Sequence, residues 1–73
     1  MEVTAKMFKD RLKAAREAAG KSQADIAKIV GISQPAYSYM ESGDKIPSLP
    51  VAKALARELN ISLDHLVGMD NNK

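Results

Sequence analysis

Residues 23–43, QADIAKIVGISQPAYSYMESG, constrain this chain more than any other stretch. Apolar residues recur at helical spacing on both sides of Gly31, so the segment reads as two short helices joined by a tight turn. Gly31 supplies the positive φ such a turn needs, and Ala27 supplies a small side chain where the two backbones cross. The later helix opens on Ser33-Gln34-Pro35 and stops at Gly43. Ser33 is its expected N-cap, and Pro35 falls in the first turn, where a missing N–H costs nothing. With Tyr37 and Met40 turned inward, a narrow face remains outside: Gln34, Pro35, Ala36, Ser38 and Tyr39.

Three more helices frame this pair, which makes the expected fold all-α. The first spans residues 4–19. Phe8, Leu12, Ala15 and Ala19 form its apolar stripe, Thr4 is a candidate N-cap, and Gly20 follows the last turn. The second helix starts at Ser22 with Asp25 three residues on, a loose capping box, and its apolar face is Ile26, Ile29 and Val30. The fourth is capped by Ser48, carries Pro50 in its first turn and buries Val51, Leu55 and Leu59, with Ala52 and Ala56 beside them. Asn60 takes the position after it that tolerates left-handed φ. Ser62 caps a short fifth helix that ends at Gly68. The organisation is a short extension over residues 1–7, one domain over 8–68 and a polar tail over 69–73.

Composition removes several function classes. The chain has 73 residues and no cysteine, so disulfides and thiolate metal sites are out of reach. A single histidine, His65, cannot gather a metal cluster and reads as a surface residue of the fifth helix. No carboxylate pair, serine–histidine–aspartate set or glycine-rich phosphate loop supports catalysis, and no cofactor is expected. No apolar run approaches the length of a membrane span, and no signal pattern opens the chain, so the expected location is cytoplasmic, with the nucleoid. Net charge is +2. Its excess lies in residues 1–22, where six basic residues face three acidic ones, which suits either phosphate contact or a solvated basic face.

A helix presented like the third one has the shape that enters the DNA major groove. With Arg16 to Gly20, Ser22-Gln23, Ala27, Gly31, Ser33-Gln34, Glu41 to Gly43, Pro47-Ser48 and residues 60–66 in register, the chain resembles the phage repressor/Cro-type helix-turn-helix family over residues 8–68. The resemblance implies a five-helix, lambda-repressor-like domain. It implies base contacts from Gln34, Pro35, Ala36, Ser38 and Tyr39, with the Gln34 amide suited to adenine. It implies phosphate contacts from Gln23, Lys21, Lys45 and Ser33, and a structural ion pair between Arg16 and Glu41. Pro35 and Ala36 stand where the family often has polar residues, and Tyr37 where an aliphatic one is usual. The Tyr37 hydroxyl therefore needs a partner or an exit to solvent.

The expected role is a double-stranded DNA-binding transcriptional regulator, a repressor acting as a homodimer on a palindromic operator. The alternative is a protein-interaction module, such as an antitoxin or adaptor, serving a toxin or a restriction system. Leu63, Leu66, Val67 and Met69 form the candidate dimer patch, with closure of the core as the competing reading.

Overall fold

The computed structural model describes residues 5–67. They form five helices: α1 (Ala5–Ala18), α2 (Gln23–Val30), α3 (Gln34–Ser42), α4 (Leu49–Glu58) and α5 (Leu63–Val67). The Thr4 cap, the stop at Gly68, the place of Met69 and the polar tail lie outside the described residues.

One core joins all five helices. Phe8 and Leu12 of α1, Ile26 and Ala27 of α2, Tyr37 and Met40 of α3, Leu55 and Ala56 of α4, Leu59 and Leu66 are all buried. Helix α3 packs on α1 and α2, while α4 backs α2 and α5 closes against α1 and α4. The scaffold therefore grips α3 from one side only.

Local chemistry sets the helix ends. At α2, Ser22 Oγ accepts from Asp25 N at 3.0 Å, and Asp25 Oδ2 accepts from Ser22 N at 3.2 Å, a complete capping box. Helix α2 stops at Gly31 (φ 80°), and the N–H groups of Gly31 and Ile32 both donate to the Ala27 carbonyl, at 3.0 and 2.9 Å. At α3, Ser33 Oγ accepts from Ala36 N at 3.2 Å. Ser48 occupies the matching place at α4 but makes no side-chain cap bond. Pro50 removes one of the two N–H groups such a cap can reach, and Ser48 leaves the other alone. Asn60, at φ 58°, is the one non-glycine with positive φ among the described residues.

Three expected core positions are corrected. Ala19 is exposed because α1 has already ended at Ala18. Ile29 is 48% exposed. At about 3.6 residues per turn, the inward side of α2 centres on Ile26, Ala27 and Val30, and Ile29 lies at its flank. Val51 is only partly buried, at the edge of the α4 stripe.

Gly31 isolates the energetic cost of the turn. A Cβ built there meets no atom within 4 Å, so a side chain would pay only for left-handed φ. Gly31→Ala is expected to lower stability in urea unfolding by about 1–2 kcal/mol, and Gly31→Asn by less.

Candidate nucleic-acid interface

The site is organised from beneath by one carboxylate. The Glu41 side chain, on the last turn of α3, is 4% exposed, and such burial without partners would be costly. It accepts four hydrogen bonds. Arg16 of α1 donates from Nε to Oε2 at 2.6 Å and from Nη2 to Oε1 at 3.2 Å. The Tyr37 hydroxyl donates to Oε2 at 2.6 Å, and Gln23 Nε2 of α2 donates to Oε1 at 2.9 Å. Arg16 Nη1 also donates to the Lys21 carbonyl at 2.8 Å, binding the α1–α2 turn into the same network.

Helical spacing explains part of this convergence. Tyr37 and Glu41 are four apart, so they stack along the inner side of α3. Gln23 is four residues before Ala27 and seven before Val30, on the inward stripe of α2. No buried side-chain nitrogen or oxygen among the described residues lacks a partner.

The charges respond accordingly. Burial pushes the Glu41 carboxyl up, but hydrogen bonds from Arg16, Tyr37 and Gln23 outweigh it and hold it below the usual carboxylate range. The hydrogen bond to Glu41 raises Arg16 against the opposing effect of burial. Burial first, then the bond to Glu41, holds the Tyr37 phenol far above its usual range.

The outer side of α3 is the opposite of its inner side. Gln34, Pro35 and Tyr39 are exposed, Tyr39 at 54%, and Ala36 and Ser38 are half-buried. The side-chain amide of Gln34 and the hydroxyl of Tyr39 have no hydrogen-bond partner among the described residues. They are polar groups aimed at solvent from a rigid helix.

The residues expected at phosphates differ in how free their polar groups are. Asp25 N is taken by the cap, whereas the N–H groups of Gln23 and Ala24 are open at the α2 N-terminus. One amide hydrogen of Gln23 is committed to Glu41, which leaves the other for a ligand. Lys45 is exposed in the link after α3, Lys21 is half-buried, and the Ser33 hydroxyl is engaged in capping. The Gln23–Glu41 contact is absent from the sequence reading, although the spacing 23, 27, 30 was the available signal. Also absent is Arg11 Nη1 donating to the His65 carbonyl at 2.7 Å, which ties α1 to α5.

The dimer patch needs correction at Leu66. Its side chain is fully buried, because it is the one residue of α5 that points straight into the core. Leu63 and Val67 are half-buried at the edge of the core.

A glycine-turned helix pair with a polar outer helix defines a class. Residues 12–66 match the family model described as helix-turn-helix, and the chain belongs to that family, among the phage repressor/Cro-type DNA-binding domains. It is similar to RstR, the cryptic phage CTXphi transcriptional repressor of Vibrio cholerae, with 40% identity over 61 residues. That match takes in 84% of this chain and 54% of the relative, so the chain spans little more than half of the relative's length. Among solved structures it resembles the P22 c2 repressor in complex with synthetic operator 9T (TM-score 0.82, 31% identity, 88% of this chain and 97% of that one). It also resembles the restriction-modification controller protein C.AhdI of Aeromonas hydrophila (TM-score 0.76, 32% identity, 82% and 91% covered). These relatives are regulators of transcription or of restriction-modification. No helix among the described residues is long and apolar enough to cross a membrane.

The depressed Glu41 ionisation links stability to pH. Its contribution is complete above the unfolded carboxylate value, about 4.3, and is lost as pH falls through the lower folded value. Thermal melts of the wild type are expected to fall below about pH 4, whereas Glu41→Gln is less stable at pH 7 and flatter across the acid range. At pH 7, Arg16→Met strands the buried carboxylate and is expected to cost about 3–5 kcal/mol in urea unfolding.

Proposed function

We propose that this chain is a sequence-specific transcriptional repressor that binds double-stranded DNA through α3. The observation that carries this reading is the outer face of α3, where Gln34 and Tyr39 offer unengaged polar groups while Glu41 anchors the opposite side. An amide in that place can donate to adenine N7 and accept from its N6 amino group, a pairing worth roughly 1–3 kcal/mol of discrimination. Pro35 and Ala36 offer apolar contact to thymine methyl groups. Tyr39 and Ser38 complete the reading face.

The open N–H groups at the start of α2, with Gln23, Lys21 and Lys45, would hold the phosphate backbone. In this arrangement Gln23 has two tasks: one amide hydrogen fixes it to Glu41, and the other meets a phosphate. Ser33 serves through its cap, which sets the first turn of α3.

One short helix reads few base pairs, so a single copy discriminates poorly. A homodimer on a palindromic operator, with half-sites about 34 Å apart, supplies the second set of contacts. The P22 c2 repressor seated on a synthetic operator supports DNA as the ligand of this fold.

The test is a binding-site selection from random duplex DNA, followed by titration of variants on the selected and on unrelated sequences at two salt concentrations. Gln34→Ala is expected to relax the preference at one base position while leaving the salt dependence intact. Gln23→Ala is expected to weaken binding to all sequences alike. An unchanged base preference in Gln34→Ala would remove Gln34 from the reading face. Failure of the wild type to retain DNA at low salt would overturn the proposal.

A further inference from the structure

Tyr37 carries a polar group that the apolar core does not need. Its side chain is fully buried within the core cluster, where a phenylalanine ring would fill nearly the same space. What the hydroxyl adds is one hydrogen bond, donated to Glu41 Oε2 at 2.6 Å. Burial and that bond keep the phenol protonated, so it remains a donor. Tyr37 and Glu41 both belong to α3, so this bond ties α3 to no other helix. What it fixes directly is the Glu41 side chain.

That carboxylate is held unevenly. Oε2 accepts from Arg16 Nε and from Tyr37, both at 2.6 Å. Oε1 accepts from Gln23 Nε2 at 2.9 Å and from Arg16 Nη2 at 3.2 Å. A guanidinium fork favours two parallel bonds to a carboxylate. Here its second prong is the long one, and Gln23 has the shorter bond to the same oxygen. Arg16 and Gln23 therefore compete for Oε1, and the tie on Oε2 sets the tilt that decides between them. Without the hydroxyl, the carboxylate is free to square up to the guanidinium and draw Oε1 away from Gln23.

The consequence reaches the start of α2. A primary amide is planar, so fixing one hydrogen of Gln23 on Oε1 also fixes the direction of the other. Gln23 is the first residue of α2, beside the open N–H groups of Gln23 and Ala24.

We infer that Tyr37 is a positioning residue for the phosphate contact: acting through Glu41, its hydroxyl aims the free amide hydrogen of Gln23. The inference rests on the DNA reading above and places Tyr37 in backbone contact, not in base reading. Without the hydroxyl, α3 keeps its bond from Arg16 and its packing through the ring and Met40, so the reading face stays where it is.

The test is Tyr37→Phe in the whole chain, measured at a temperature where thermal melts show it folded. Without DNA, ¹⁵N relaxation of the Gln23 side-chain amide is expected to show an ordered group in the wild type and a mobile one in the variant. With DNA, Tyr37→Phe is expected to weaken binding to selected and unrelated sequences alike, by about threefold or more, with base preference unchanged. Combined with Gln23→Ala it should cost nothing further, because the group it aims is gone. A hydroxyl that serves the core alone would lower the melting temperature and leave both readouts of the folded protein as they were. An amide that stays ordered in Tyr37→Phe, wild-type binding by that variant, or losses that add to those of Gln23→Ala would overturn this role and leave the DNA reading standing. A wild type that retains no DNA at low salt would overturn both.

Discussion

The Glu41 carboxylate is the constraint on which the rest of the molecule depends. A charge with 4% of its side chain exposed can persist only if its lone pairs are filled. Here they are filled from three helices: Arg16 on α1, Gln23 on α2 and Tyr37 on α3 itself. Each donor has a preferred distance and direction, so satisfying all of them at once fixes how α3 sits against the other two helices. Apolar packing under Tyr37 and Met40 brings α3 to the scaffold. The polar network then selects one rotation of α3 among the several that would bury similar area.

This division of labour has a cost. A buried ion pair is often no more stabilising than an apolar pair of the same volume. Its return here is directional. With Glu41 and Tyr37 held inward, Pro35 and Tyr39 must lie outward, and Gln34 is left with an uncommitted amide at the first turn. The same network reaches Gln23 and the Lys21 carbonyl, so the α2 N-terminus is fixed by the group that orients the reading helix. The proposed phosphate and base contacts thus share a single mechanical reference.

Much of this was legible in the residues. Glycines at 31 and 43, serines at 22 and 33, and Asn60 mark helix ends through backbone preferences that act locally, and the helices end there. The Arg16–Glu41 pair was reached by resemblance, because the two residues are far apart in sequence and no periodicity joins them. What escaped the sequence was part of the inner side of α2, whereas Tyr37 and Met40 of α3 face in as their spacing says. In α2, with two turns, Ile29 and Gln23 compete for the inner side, and hydrophobicity favours Ile29. The carboxylate beneath decides for Gln23.

The central claim is that Glu41 acts on DNA recognition through the orientation of α3. A double-mutant cycle measures this most directly, with Gln34→Ala and Glu41→Gln alone and together. Specific and unrelated DNA are titrated at a temperature where all four proteins are folded. The account predicts coupling: the loss of discrimination from Gln34→Ala shrinks once Glu41→Gln has freed α3. Losses that simply add would contradict it, because Gln34 would then read its base regardless of how Glu41 is held.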